Sequence, residues 1–439
     1  MVGLIIYWQV VPLDIQVAPQ DGQSEVDPRR PVSVRTVGLG GRLLNVEIKD
    51  SEGNILSGRL AETDFETRIP LKPDTLYTVS AEATRDWTNQ VLTRIVSFKT
   101  ITTPRLLTPS IVQLRPDRTF VLKFDRPVGG LEVKGFDFTV QSTGNQSFTL
   151  KAQGDYDQGK TFPLKVEWTT AGGVPLAPLK LQVRTPPPLT VRLNVRGLEG
   201  VGLVLPVLFT FSEPLQDRKA LAGRIQVRAA NAEVPGQWSW VGKRRLQFAP
   251  SPGWPGLSTV RVSADLAGEE AIRAAGGGWL EDQIDQTFTT GADRRIVIYL
   301  DTQRAEAIEA GTVVRSFPIS SGKAGTPTVT GRFYIDRRYE RKTMRSRAKP
   351  GEPGHYVVEN VPYAQFFHGA YAFHGAWWHN SFGRPASHGC VNLSTQAFNK
   401  RWPNARDDAR WLWDWANLGV PVIVRATTPR TAAAETAQL

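Results

Sequence analysis

Two short runs decide how this chain is read: Tyr371-Ala372-Phe373-His374-Gly375 and, after a short loop, Ser387-His388-Gly389-Cys390-Val391-Asn392. All five histidines, His355, His368, His374, His379 and His388, fall within 34 residues, and the only cysteine, Cys390, lies two residues beyond the last. Between Glu359 and Asp407 there is no Asp or Glu, so the segment offers thiol and imidazole chemistry. A thiolate is the attacking form of cysteine, and a neighbouring imidazole accepts its proton and, once charged, stabilises the anion. Glycine ahead of the cysteine permits a tight backbone that aims amide N–H groups at a developing oxyanion. Residues 387–392 therefore read as a nucleophile loop. His374, on a strand-like run, is far enough away in sequence to approach as general base from an adjacent strand. Its orienting acceptor is a backbone carbonyl, because no carboxylate is near.

Plainer readings stand beside this one. Free cysteine is often a small buried hydrophobe. A zinc site is disfavoured, because the separations of 6, 5, 9 and 2 from His368 to Cys390 do not match paired-ligand spacings. His368 is either substrate-facing or half-buried, and His355 and His379 read as loop residues. Trp377 and Trp378 either wall a groove or pin the loop between base and nucleophile. The run Arg337 to Lys349, with seven basic residues and one acid, reads as a solvated loop, or else as a lid or strip that meets anionic polymers.

Outward from the site, Ile296–Leu300 and Val313–Ile319 read as two strands of a hairpin. Asn404 and Asp407 form a capping-box-like start to a helix whose face is Trp411, Trp415 and Leu418, with Gly419 as a left-handed cap before the strand Val422–Val424. The residues from Thr428 form a flexible tail.

The first 290 residues consist of short alternating runs punctuated by Pro, Gly, Asn and Asp, the texture of β-sandwiches. Phe124-Asp125-Arg126-Pro127 is echoed 87 residues later by Phe211-Ser212-Glu213-Pro214, and Phe98-Lys99-Thr100 by Phe288-Thr289-Thr290. A repeat of that size matches one immunoglobulin-like sandwich. Three such domains are expected, at 14–103, 104–188 and 189–291, serving as spacers or as glycan- or protein-binding modules, ahead of a domain at 293–427.

At 439 residues, 41% hydrophobic and 22% charged, with 13 Trp, the chain is globular and not a disordered tail. The net charge of +11 favours acidic partners. Nothing resembles a nucleic-acid recognition helix or stacking platform. Val2 to Leu13 is too short to span a bilayer; it has neither the basic start nor the small-residue cleavage site of a signal peptide, and is expected to be a shortened export signal or an anchor.

The runs His374-Gly375 and Ser387–Asn392 resemble the signature of the L,D-transpeptidase catalytic domain of bacterial cell-wall synthesis. Ser320-Ser321-Gly322-Lys323 with Thr326–Phe333 is similar to the family's strand and turn upstream of the site, and Phe366–Phe373 to the strand leading to the base. The match covers residues 293 to 427. It implies a mostly β catalytic domain with a C-terminal helix behind the tandem sandwiches, with Cys390 as nucleophile and His374 as base. The Gly375 carbonyl would hold the imidazole, and because some members carry Ser there, its role in this chain rests on backbone alone. His388 would line the site, and the amides of Gly389 and Cys390 would donate to the oxyanion. Ser387, Asn392, Tyr371, Trp377, Trp378 and His368 would contact substrate. The implied reaction is attack on the third-residue carbonyl of a peptidoglycan tetrapeptide stem, release of D-alanine, and transfer to an amine as a 3→3 cross-link, or to water as an L,D-carboxypeptidase. No cofactor or metal is implied. The expected partners are stem peptides and anionic wall polymers, met as a monomer outside the cytoplasm. A thiol peptidase and an inactive wall-binding protein are the alternatives.

Overall fold

Period-two alternation buries one face of a strand, and along this chain it builds a series of small antiparallel sheets. The computed structural model describes residues 12–85, 90–135, 137–142, 144–219, 221–266, 271–346, 348–397 and 406–429. Nearly all of the apolar N-terminal run, Asn404 and most of the expected tail lie outside these. Among the described residues there is one α-helix, and no helix is long and apolar enough to cross a membrane. The chain falls into two compact units that divide between Pro187 and Pro188.

In the first unit, strands Asp14–Ala18, Ser33–Val37, Asp64–Thr67 and Gly58–Leu60 form one sheet, and Gly41–Asp50, Leu76–Arg85 and Val91–Lys99 form another. Their inner faces share a core of Ile15, Val34, Ile48, Tyr77 and Phe98. A second pair of sheets spans Ile111 to Arg184. Phe124 joins them, stacking on Trp168 from one sheet at 5.1 Å and meeting Phe148 from the other edge-on at 5.9 Å. A third pair, from Val191 to Thr289, opens the second unit and closes over Trp254, Phe209 and Phe288. These are immunoglobulin-like sandwiches, and the protein is mainly β.

Each sandwich ends on the same device. Just after its last strand, a buried threonine brings its hydroxyl to two carbonyls of the preceding turn and accepts one N–H from it. Thr100 reaches the Lys72 and Thr75 carbonyls at 2.7 and 3.1 Å and accepts from Thr75 N–H at 2.9 Å. Thr185 does so with Asp157 and Lys160 at 2.8 and 3.2 Å, accepting at 2.9 Å. Thr290 does so with Pro255 and Ser258 at 2.6 and 3.2 Å, accepting at 2.9 Å.

The rest of the second unit is two sheets and a helix. Strands β1 (Arg294–Tyr299), β2 (Arg304–Glu309), β3 (Thr312–Pro318), β4 (Gly331–Tyr334) and β9 (Pro421–Arg425) make a sheet in the order β3-β2-β1-β9-β4. Strands β5 (Arg337–Arg345), β6 (Val357–His368), β7 (Tyr371–Gly375) and β8 (Val391–Leu393) follow one another in the second. Between them lies a core that includes Ile296, Phe317, Phe373, Val391 and Leu412 of the helix α1 (Asp408–Trp415). Three expectations are corrected here. The two strands read as one hairpin are separated by β2, whose alternation is masked by small alanines. The basic run from Arg337 is a strand, pinned where Arg338 lies over the Trp413 ring at 3.9 Å. The helix is capped by Asp407, which accepts from Arg410 N–H, and it stops at Trp415, so Leu418 and Gly419 fall beyond it.

Gly419 has another use. It stands at φ +81°, and its neighbour Leu418 accepts a 2.7 Å hydrogen bond from Gly202 N–H of the third sandwich. A Cβ on Gly202 would lie 2.1 Å from backbone atoms of Gly419 and Val420, so the two segments touch main chain to main chain. Replacing Thr185 or Thr290 by Val should lower stability by about 1–3 kcal/mol each through the stranded turn groups. Denaturant unfolding of each single variant measures this, and an unchanged midpoint would contradict it.

Candidate active site

The site is set by parallel pairing of β7 with β8, in register Phe373↔Val391, His374↔Asn392 and Gly375↔Leu393. Side chains alternate along both strands, so His374 and Asn392 share one face, and Cys390, two residues before Asn392, presents to the same face. The other face carries Phe373 and Val391, both fully buried in the core.

His374 is 3% exposed, and its Nδ1 lies 3.2 Å from the Gly375 carbonyl. That contact puts the ring proton on Nδ1 and leaves Nε2 as a base. Burial lowers the imidazole pKa to about 4, against the pull of the Gly375 carbonyl. At Gly375 a Cβ would meet Pro362 and Thr395 at 2.9 Å, so a side chain there would have to displace both.

Cys390 is half-buried, and burial pushes its thiol pKa up, opposed by a backbone hydrogen bond from Ala372. Its Sγ donates to the Ala370 carbonyl at 3.6 Å. The resting pair is thus a neutral thiol and a neutral imidazole, and the thiol is turned to a main-chain oxygen.

The loop ahead of the cysteine is held from within and from beneath. Ser387 Oγ donates to the Cys390 carbonyl at 2.5 Å and accepts from Gly389 N–H at 3.0 Å. That engages one of the two amides assigned to an oxyanion. Gly389 stands at φ +120°, a conformation that glycine alone adopts without strain, and a Cβ there would lie 2.9 Å from the Tyr371 ring. Beneath it, Thr328 Oγ1 donates to the Gly389 carbonyl at 2.8 Å and accepts from Gly322 N–H at 2.9 Å, while Ser320 exchanges backbone bonds with Asn392. The upstream motif is the cradle of the loop.

Two hollows meet at Cys390. One, about 240 Å³, is lined by His374, Trp378, Val358, Val361, Ser387 and Asn392 among others. The other, about 570 Å³, is lined by Lys342, Arg345, Phe366, Ala370 and Tyr371 among others. Met344, Tyr356, His388 and Cys390 belong to both. The Tyr356 ring, from the loop between β5 and β6, sits 5.1 Å from the exposed His388 ring, and both line the two hollows together with Cys390.

Of the substrate contacts expected from sequence, Ser387, Asn392, Tyr371 and Trp378 line these hollows. His368 and Trp377 line neither. Residues 366–373 are a hairpin and not one strand, which carries His368 to the exposed end of β6, its ring 4.7 Å from Phe333. Trp377 meets Trp378 edge-on at 5.6 Å and supports it. His379 is tied to the site: its Nδ1 accepts from Ser381 N–H, and its Nε2 lies 2.8 Å from the Asn392 amide. Nε2 therefore carries the proton, and it donates to the Asn392 side chain with the amide oxygen turned toward the ring. Met344, Tyr356 and Val358 were missed: a charged run masks the strand that carries Met344, and Tyr356 and Val358 follow in the loop and at the start of β6 that this strand pairs with.

A mostly β domain with a cysteine and a histidine on one face of paired strands, behind sandwiches, defines a class. The L,D-transpeptidase catalytic domain family matches residues 293–424, and the bacterial Ig domain family matches 23–120 and 143–270. Residues 293–424 are an L,D-transpeptidase catalytic domain, and bacterial Ig domains precede it. The chain is 28% identical over 257 residues to L,D-transpeptidase 2 of Mycobacterium tuberculosis, covering 56% of this chain and 59% of that protein. It is 25% identical over 260 residues to L,D-transpeptidase 1 of the same species, covering 58% and 92%. Among solved structures, an L,D-transpeptidase from Mycobacterium smegmatis is similar at 27% identity and a TM-score of 0.42, over 54% of this chain and all of that one. The LdtMt1 structure in complex with imipenem is similar at 25% identity and 0.44, over 54% and 99%.

The buried imidazole ties stability to pH. The folded state holds His374 neutral down to about pH 4, while the unfolded chain takes up the proton from about 6.5. The contribution is complete above pH 6.5, is lost as pH falls toward 4, and is on the order of 3 kcal/mol. His379, whose pKa burial also lowers, acts in the same sense. In urea titrations from pH 7 to 4, His374→Gln should flatten this decline; an equal slope in both proteins would refute the assignment.

Proposed function

We propose that this chain is a cysteine acyltransferase of the cell wall, an L,D-transpeptidase in which Cys390 is the nucleophile and His374 the base. The observation that carries the reading is the shared face of His374 and Cys390, open to two hollows that meet at the thiol. The Cys390 thiol attacks the third-residue carbonyl of a tetrapeptide stem as its proton passes to His374 Nε2. The Cys390 N–H donates to the oxyanion, since that of Gly389 is held by Ser387. The tetrahedral adduct collapses, the imidazolium returns its proton to the departing D-alanine amine, and a thioester remains. An acceptor amine attacks the thioester, gives its proton to His374 and forms the 3→3 cross-link, with the thiol restored.

We further place the protein outside the cytoplasm, acting on peptidoglycan with the sandwiches at 14–103, 104–188 and 189–291 as spacers. Binding of anionic wall polymers by its net positive charge belongs to the same reading.

The test is incubation of the protein and Cys390→Ala with a disaccharide tetrapeptide, alone and with a second stem, followed by mass spectrometry. A thioester on Cys390 and a cross-linked dimer are expected, both absent from the variant. Tripeptide and free D-alanine alone would replace transfer by hydrolysis, and no adduct at all would sink the catalytic reading. A carbapenem should acylate Cys390 in the same assay.

The neutral pair makes a separate prediction. Alkylation of Cys390 by iodoacetamide should climb steadily from pH 7 to 10, because the thiol pKa is raised and no charged imidazole stabilises a thiolate. A plateau already reached at pH 7 would indicate a preformed ion pair.

A further inference from the structure

The two hollows differ in charge. The one containing His374 is lined by no Lys, Arg, Asp or Glu. The larger one carries Lys342 and Arg345, and again no acid. Both cations are exposed on β5, and among the described residues neither forms an ion pair; the Lys342 ammonium lies 4.4 Å from the Tyr339 ring. Glu352, in the adjoining loop, accepts from Lys349 N–H.

The position of the base decides what each hollow receives. One imidazole must protonate the departing amine and deprotonate the incoming one, so both amines come to the His374 side. The acyl portion of the stem then extends from Cys390 into the hollow of Lys342 and Arg345. Resting on the proposed function, we infer that Lys342 and Arg345 are specificity-determining residues that recognise free carboxylates on the acyl portion of the stem. A γ-linked glutamyl residue supplies one carboxylate and a diamino dicarboxylic acid at the third position supplies the second. The favoured substrate is therefore an un-amidated stem, with two anions set against two cations.

Two tetrapeptide donors test this, one with both carboxylates free and one with both amidated, each assayed for D-alanine release and cross-linking. Wild type should favour the free acid by roughly threefold to thirtyfold in kcat/KM, expressed in KM and shrinking with added salt. In Lys342→Gln/Arg345→Gln the preference should fall to near unity while kcat is kept. Iodoacetamide alkylation of Cys390 at the wild-type rate would show that the variant is folded. If wild type treats both donors alike, or the double variant keeps the preference, the inference is overturned. If wild type releases D-alanine from neither donor although the thiol alkylates, the proposed function fails instead.

Discussion

The register of β7 against β8 is the constraint on which the site depends. A shift of one residue would turn His374 toward the core and bring Phe373 to the cleft, since neighbouring residues on a strand face opposite ways. The core enforces the register: Phe373 and Val391 are fully buried beneath the strands, while His374 and Asn392 lie above. A second lock lies across β8, where Ser320 exchanges two backbone bonds with Asn392. The geometry of the site follows from apolar packing, and the polar residues occupy the face the packing leaves them.

Small residues then fix the loop. Gly322 cannot bear a side chain, because a Cβ would sit 2.1 Å from the Thr326 carbonyl, and the turn it permits delivers Thr328 to the Gly389 carbonyl. Gly389 supplies the positive φ that lets Ser387 reach both sides of the turn. These hydrogen bonds lie within and beneath the loop, so the thiol is positioned without being engaged by them, which is the kind of support a precise site needs.

Sequence alone made the chemistry legible because it is concentrated: four of the five histidines and the one cysteine share a window without carboxylates, which leaves few arrangements. The mainly β character was legible through period-two alternation. The signal failed where a strand is not amphipathic. β2 hides behind alanines, and β5 behind a run of charges whose aliphatic stems and guanidinium planes pack on Phe366 and Trp413. The threonine at the end of each sandwich was visible at Thr100 and Thr290 because each follows a phenylalanine by two residues. Thr185 follows Val183, and its identical hydrogen bonding appears only in the fold. His368 was misplaced for a related reason: the turn Gly369-Ala370 inside an aromatic run reads as continuous strand until Gly369 is seen at φ +53°.

The buried carboxylate of this domain is committed away from His374, beside which a main-chain carbonyl stands instead. Asp408, fully buried at the start of α1, is held by Arg315 at 2.7 Å and by Arg406 at 3.2 Å, and accepts from Ser394 Oγ at 2.8 Å, so it anchors the helix to the end of β8. Its charge is committed to that joint and does not face His374. A carboxylate at the imidazole would favour the cation and draw the proton from Cys390 before any substrate arrived. The Gly375 carbonyl orients the ring without supplying that charge, and burial then keeps both partners neutral. The thiol rests on the Ala370 carbonyl, its proton in place, and in the proposed reaction its transfer to His374 is coupled to attack on a carbonyl docked between the two hollows. On the proposed function, reactivity is set by occupancy of the cleft and not by a standing thiolate, which leaves the lone cysteine inert until a substrate is docked.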